Sequence, residues 1–314
     1  MDRNKLAKKD IRFHESFFKR IINQILVGLL IAVSWLPFWI LYRLSDVLYI
    51  LIRFVFKYRH KVITNNLKHA FPEKPELEIS QIRNKFYRHF CDIIFESIKI
   101  YSISDKEIEK RLTLNGIDKA NDFFDQGKSI IALAMHHNNW EWTSFVQSKL
   151  KHHILTVYNP VRGNTAMENF LVHNRQKWGS ECIPVHKTAR TAVERNLKKQ
   201  LTGLWLAADQ TPPANSKFWT IFLNRETPFF SGYEKIANTA NQPVFFQHNK
   251  KLGRGIYTIE YTLLFDNPKE VTENEILLAY VRKAEEIIRQ KPEYYLWSHR
   301  RWKHTRPEGV ELTM

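Results

Sequence analysis

From Leu112 onward the chain alternates short apolar runs with amphipathic ones, and this alternation restricts the fold more than any other feature. Strands are expected at 129–135, 154–158, 204–208, 219–223, 244–247 and 256–265, with helices at 140–150, 165–178, 189–200, 232–240 and 272–289 between them. Strands joined through helical segments can pair in parallel, because the crossover supplies the length a parallel connection needs. The expected class is α/β, a mixed, mostly parallel sheet flanked by helices. No repeat, low-complexity linker or internal boundary interrupts residues 58–314, which read as one domain.

Within that domain the segment SIIALAMHHNNWEW, residues 129–142, carries the densest chemistry. An apolar strand runs into His136-His137-Asn138-Asn139 and then into the start of a helix. Side chains placed this way sit at the carboxyl end of a strand, where crevices form in α/β sheets. His136 and Glu141 are the expected catalytic pair. An imidazole can take a proton from an alcohol near neutral pH, and a carboxylate on its other nitrogen fixes the tautomer. The bland alternative for the same spacing is a set of polar helix-start residues on a surface loop. A metal site is not expected, because the adjacent histidines lack i, i+4 spacing and cysteine is scarce.

Three further segments bear candidates. YNPVRGN at 158–164 follows a strand; Arg162 there and Arg175 on the next helix suit phosphate recognition by forked hydrogen bonds, or are surface residues. In ADQTPP, residues 208–213, Asp209 and Gln210 close another strand. Asp209 is expected to hold an arginine or to position an acceptor together with Gln210, or else to cap a turn with Thr211. The tail YYLWSHRRWKHTRPEG at 294–309 interleaves Trp with Arg, as suits a lipid–water interface or nucleic-acid stacking. No P-loop, dinucleotide fingerprint or G-x-S-x-G elbow occurs, which excludes the usual nucleotide and serine-hydrolase signatures.

Ahead of the domain, residues 1–57 read as a basic N-terminus and membrane anchor. Arg3, Lys5, Lys8, Lys9 and Arg12 precede a run of 22 residues, 21–42, without a formal charge. As one helix that run would be about 33 Å long, enough to cross a bilayer. Pro37 would kink it, and Arg43, Arg53, Lys57, Arg59 and Lys61 follow it, so a single crossing conflicts with the positive-inside bias. A re-entrant or interfacial anchor removes the conflict, with 44–56 lying in the interface. The segment 76–101 has helical periodicity, with Ile79, Ile82, Phe86, Phe90, Ile93, Ile94 and Ile98 on its core stripe, and Asp92 and Glu96 expected in solvent or else paired with the basic body. A net charge of +16 attracts polyanions: nucleic acid, anionic headgroups or an acidic carrier protein. Two cysteines, Cys91 and Cys182, make no disulfide framework and point to a reducing compartment.

Taken in order, the apolar N-terminus, YRHKVITNNLKHAFPE, HHNNWE, ADQTPP and WSHRRWKHTRPEGV resemble the late acyltransferases of lipid A biosynthesis, the lauroyl/myristoyl transferase family. The resemblance implies a glycerol-phosphate-acyltransferase-like fold at the bacterial inner membrane, with its catalytic domain on the cytoplasmic face. It implies transfer of a fatty acyl chain from acyl carrier protein, or acyl-CoA, to a glycolipid hydroxyl. It implies no metal or dissociable cofactor and no nucleic-acid partner. The family's His-x4-Asp/Glu dyad falls on His136 and Glu141, and its acidic residue after the central strand on Asp209. Many relatives have Tyr-Arg-Pro where this chain has Tyr158-Asn159-Pro160. Either Arg162 or Arg175 supplies the missing guanidinium, or the acceptor's phosphate is recognised differently. A lysophospholipid or other glycolipid or aminolipid O-acyltransferase is the alternative; a membrane-tethered nucleic-acid-binding protein and an inactive scaffold are more remote. The tetrahedral oxyanion is expected to meet backbone N–H groups of 136–138 or an Arg.

Overall fold

The structure, a computed structural model, describes residues 15–314. The basic positions Arg3, Lys5, Lys8, Lys9 and Arg12 lie outside the described residues. The described helices are α1 (Phe17–Ser34), α2 (Phe38–Ile50), α3 (His60–Ala70), α4 (Glu76–Lys99), α5 (Asp105–Glu109), α6 (Ile117–Asp125), α7 (Thr165–Gln176), α8 (Thr188–Leu197), α9 (Gly232–Ala240) and α10 (Glu275–Gln290). The strands are β1 (Leu112–Asn115), β2 (Ile130–Ala134), β3 (His153–Tyr158), β4 (Glu181–Pro184), β5 (Thr202–Ala207), β6 (Trp219–Phe222), β7 (Arg225–Pro228), β8 (Val244–Gly253) and β9 (Ile256–Phe265).

Seven strands form one sheet in the order β1-β9-β8-β2-β5-β3-β4. Every neighbouring pair is parallel except β8 and β9. β2, IIALA, lies between β5 and β8 and is buried along its whole length. Alternation then sends Ile131 and Leu133 to one core, with Leu155, Leu204, Phe86, Tyr233 and Tyr280. Ile130, Ala132 and Ala134 face the other, with Trp205, Phe123, Trp142 and Phe145. Helices cover both faces, as the alternating pattern requires.

Several elements depart from expectation. β1 (LTLN) and β4 (ECIP) sit at the two sheet edges, where half-polar strands of four residues suffice, so no apolar run announces them. The 219–223 strand leaves the sheet and pairs antiparallel with β7 instead. Its turn residues Leu223 and Asn224 have φ of 51° and 63°, the left-handed pair that matches strand twist in a two-residue hairpin. Residues 140–148 form a 3-10 helix rather than an α-helix, started by the Asn139 side chain accepting from Trp142 N at 3.2 Å. The apolar run 21–42 is divided: α1 ends at Ser34, and Pro37, which has no N–H to donate, precedes α2.

Asp92 and Glu96 on α4 are buried rather than solvated, and Asp92 takes the paired alternative. Asp92 accepts from Ser45 Oγ at 2.7 Å and from the Arg254 guanidinium at 2.6 Å. Glu96 accepts from Asn139 Nδ2 at 2.7 Å, Tyr257 OH at 2.8 Å and Tyr42 OH at 3.0 Å. Burial pushes the Glu96 carboxyl above its ordinary value, and the hydrogen bonds from Tyr257 and Asn139 offset part of that rise. Through Glu96, α2 is tied to the loop that follows β2.

Candidate active site

β2 and β5 are parallel neighbours in a register that opposes Ala134 to Ala207. His136 and Asp209 each lie two residues beyond that pair, so the two chain exits bring them together. His136 Nδ1 donates to Asp209 Oδ1 at 2.8 Å, and the His136 backbone N–H donates to Oδ2 at 3.1 Å. Both carboxylate oxygens therefore hold one residue. Asp209 is 2% exposed and His136 16%. Burial opposes charge on Asp209, but the imidazole and the two hydrogen bonds from His136 outweigh it and hold the carboxyl below its ordinary value.

With Nδ1 donating to Asp209, the basic lone pair of a neutral imidazole falls on Nε2. The Gln210 amide reaches that atom at 3.0 Å. The Trp140 ring packs edge-on against the imidazole, with centroids 5.0 Å apart. Asp209 therefore holds the histidine rather than an arginine or a turn, and Gln210 meets the ring's other nitrogen.

Glu141 does not hold His136. The turn through Asn138, whose φ is 58°, and the 3-10 helix carry the Glu141 carboxylate to α7. There Arg175 binds it in a fork, Nη2 to Oε1 at 2.6 Å and Nε to Oε2 at 3.0 Å. Burial would raise the Glu141 carboxyl, and the Arg175 charge more than reverses this; the same pairing raises Arg175 against its own desolvation. The expected His136–Glu141 hydrogen bond is corrected to two adjacent pairs, His136–Asp209 and Glu141–Arg175. Of the two arginines, Arg175 lines the site, whereas Arg162 is exposed on the 159–164 loop and does not.

The rest of HHNN is scaffolding. His137 Nε2 donates to Lys291 O at 3.0 Å, Asn138 Nδ2 to Asn249 O at 2.6 Å and Asn139 Nδ2 to Glu96. The backbone N–H groups of 136, 137 and 138 donate to Asp209, Met135 O and Tyr294 O. All three are occupied, so the expected backbone oxyanion hole does not exist at this loop. Arg175 is the remaining expected donor, since neither of its bonds to Glu141 uses Nη1.

A cavity of about 380 Å³ opens beside His136, Trp140, Glu141, Arg175 and Gln210. Its walls come from both faces of the sheet at the ends of β3 and β5. Ile154, Thr156 and Trp205 line one side with Thr143 and Ser144; Val157, Leu204 and Leu206 line the other with Tyr233 and Ile236. The first side carries the Glu141–Arg175 pair, and the second is mainly aliphatic.

The first half of the tail is largely internal, while Arg300, Lys303 and Thr305 are exposed. Trp297 and Arg301 are buried, the Arg301 guanidinium lying 4.5 Å from the centre of the Phe229 ring. Asn66, from the YRHKVITNN stretch, donates to Trp297 O at 2.9 Å and His299 O at 3.0 Å, and Arg59 donates to Ser298 O at 2.8 Å. His299 Nε2 accepts from Thr211 N at 3.3 Å, immediately after Gln210. Two segments more than 200 residues apart thus brace the 209–211 turn. Nothing in their composition gave away that partnership.

Among the described residues no group of three or more His, Cys, Asp or Glu side chains is arranged to hold a metal ion. Cys91 and Cys182 are free thiols, pushed by burial up to about 12 and about 11.

An imidazole with its carboxylate at the ends of adjacent parallel strands, opening on a largely apolar cavity, has the equipment of an acyl-transfer enzyme. The chain belongs to the bacterial lipid A biosynthesis acyltransferase family, whose model matches residues 9–304, and is an acyltransferase. It is 26% identical over 293 residues to the lipid A biosynthesis lauroyltransferase of Escherichia coli (strain K12), covering 90% of this chain and 92% of that one. It is 24% identical over 295 residues to the lipid A biosynthesis palmitoleoyltransferase of the same strain, covering 89% and 91%. It is 21% identical over 286 residues to a lipid A biosynthesis acyltransferase of Haemophilus influenzae, covering 90% and 87%.

Proposed function

We propose that the enzyme moves a fatty acyl chain from a thioester donor, acyl carrier protein or acyl-CoA, to a hydroxyl of a lipid A-type glycolipid at a bacterial inner membrane. The observation that carries this reading is the His136–Asp209 pair, with His136 Nε2 at the wall of a cavity whose far side is aliphatic. The names of the relatives supply the acceptor class.

In this mechanism the acceptor hydroxyl displaces the Gln210 amide from His136 Nε2 and gives up its proton there. The alkoxide oxygen attacks the thioester carbon, forming the tetrahedral oxyanion. Asp209 stabilises the imidazolium through the Nδ1–H it accepts, and by holding that proton on Nδ1 leaves Nε2 as the nitrogen that takes the new one. The C–S bond then breaks, the thiolate takes the proton from His136, and an ester and a thiol leave. Glu141 aims Arg175, whose unused Nη1 suits an anionic oxygen, either the acceptor's phosphate or the oxyanion. The acyl tail lies against Val157, Leu206 and Ile236. No dissociable cofactor enters any step. The net charge of +16 would draw in an acidic carrier protein and anionic headgroups, an attraction that salt weakens.

Purified His136→Ala, assayed with acyl carrier protein thioester and a lipid A precursor, should lose transfer while keeping its circular-dichroism spectrum and melting curve. Near-normal turnover would defeat the assignment. Mass spectrometry of lipids from a strain lacking the gene should show a glycolipid short by one acyl chain. A missing phospholipid species instead would move the acceptor to the lysophospholipid class.

A further inference from the structure

The path of α1 bears on how the enzyme meets its membrane. At 18 residues the helix is about 27 Å long, nearly the thickness of a bilayer's hydrocarbon core. It is also apolar enough to cross, with a mean hydropathy of 1.6. A crossing helix leaves its far end that distance from the domain that follows it. Here both ends touch the same α/β domain. At the N-terminal end, Glu15 accepts from Thr165 N at 3.4 Å, and Lys19 Nζ lies over Gly163. At the C-terminal end, Ser34 O accepts from Lys99 Nζ at 2.8 Å and from Ser102 Oγ, and Leu36 O accepts from Lys99 Nζ at 3.0 Å. Between them Asn23 and Val27 face inward and are buried.

The opposite face is apolar and uncovered. Ile22, Ile25 and Leu29 are 57%, 60% and 58% exposed, and α2 continues the surface with exposed Trp39, Val47 and Ile50. Exposed Lys19 and Arg20 lie at its α1 end and Lys57 beyond the end of α2, while Arg43 falls between Trp39 and Val47, long enough for its guanidinium to reach headgroup depth. An apolar strip bordered by cations fits an anionic lipid surface, with the helix lying in the interface and the cations at headgroup depth. A second copy of this chain would bring like charges together along the same border.

We infer that α1 and α2 form a wedge in a single leaflet, so that Glu15 and Ser16, at the start of α1, lie on the same side of the membrane as the catalytic domain. This deepens the membrane reading above and rests on it. The occupant of the exposed face is the outer part of one anionic leaflet, and the cavity mouth stays next to the acceptor's headgroup.

The test uses the full-length chain with Cys91→Ala and Cys182→Ser, carrying either Ser16→Cys or Glu270→Cys as the sole thiol, added to sealed phosphatidylethanolamine–phosphatidylglycerol vesicles. Flotation is measured first. A membrane-impermeant maleimide is then added outside. The wedge requires Ser16→Cys to react within about twofold of Glu270→Cys in intact vesicles, with no gain when detergent opens them. Protection of Ser16→Cys until detergent is added, with flotation intact, overturns the wedge but spares the membrane reading. Failure to float overturns both. A nitroxide at Ile25 should report shallow immersion in the floated protein; an Ile25 nitroxide shielded in a lipid-free dimer would make a second copy the occupant and refute the inference.

Discussion

Asp209→Asn isolates the carboxylate that holds His136, the proposed base. The aspartate offers two acceptor oxygens to two donors of one residue, His136 Nδ1–H at 2.8 Å and the His136 backbone N–H at 3.1 Å. Asparagine keeps one acceptor and turns the other atom into a donor. If its oxygen stays on the backbone N–H, its amide faces Nδ1 and drives the ring proton to Nε2, where it blocks the base. If the oxygen stays on Nδ1–H, the amide meets the backbone N–H donor to donor. Either arrangement also removes the negative charge that stabilises the imidazolium. The equivalent change in a serine-protease triad lowers turnover roughly 10⁴-fold through the tautomer alone. At about 1.36 kcal/mol per decade, that corresponds to about 5 kcal/mol of transition-state stabilisation. The expectation here is a fall of 10³–10⁴-fold in kcat with KM for the lipid acceptor nearly unchanged, because Asp209 is shielded from the cavity by the imidazole. Initial rates with purified protein, and a single-turnover measurement to isolate the chemical step, provide the readout. A kcat within tenfold of the parent enzyme, in a variant whose melting curve is intact, would refute the reasoning and return the orienting role to Glu141.

Glu141→Gln and Arg175→Met should each weaken transfer with a marked rise in acceptor KM; if Glu141 acts only by aiming Arg175, the double variant should be no worse than the poorer single one. A fully additive double-mutant cycle would assign Glu141 an independent task. Ile236→Trp should shift donor preference toward shorter acyl chains, since each methylene excluded from an apolar wall forfeits about 0.8 kcal/mol of burial; competition between thioesters of different length measures it, and an unchanged product profile removes Ile236 from the acyl wall. His137, held down to about 3, and His248 and His299, each held down to about 4, are kept neutral by burial. Their folded-state values lie below that of an unfolded imidazole, about 6.5, so acid favours the unfolded chain and stability should decline from about pH 6.5 toward pH 4. A drop from 6.5 to about 4 at one such site corresponds to roughly 3 kcal/mol; a melting temperature flat between pH 7 and pH 5 would contradict the set.

The part of the site carried by one continuous segment was legible, because β2 and the loop after it contain their own instructions. IIALA is apolar enough to be buried on both faces, and its polar exit had to sit at a strand end. Asp209 was visible as a strand-end acid for the same reason. What the sequence does not disclose is which strands are neighbours. The His136–Asp209 contact follows from β2 and β5 lying side by side in one register, a fact of topology rather than of spacing. Glu141 looked like the partner only because it was near in the chain, and a left-handed residue at Asn138 turned it away. Asp92 and Glu96 fell on faces of an amphipathic helix that usually meet solvent; hydroxyl, amide and guanidinium partners from distant segments made their burial tolerable. Trp297 and Arg301 of the tail follow the same pattern, absorbed by an interior assembled from distant segments.

That last arrangement has a consequence for how the enzyme comes into being. Asn66 grips carbonyls 231 and 233 residues away, and Thr211 leans on His299. Such distant pairings form late and slowly. A ribosome must therefore have added His299 before the turn bearing Asp209 and Gln210 gains its brace. Until then that turn lacks its His299 acceptor, so the site is completed only after the 88 residues that separate the two have been added.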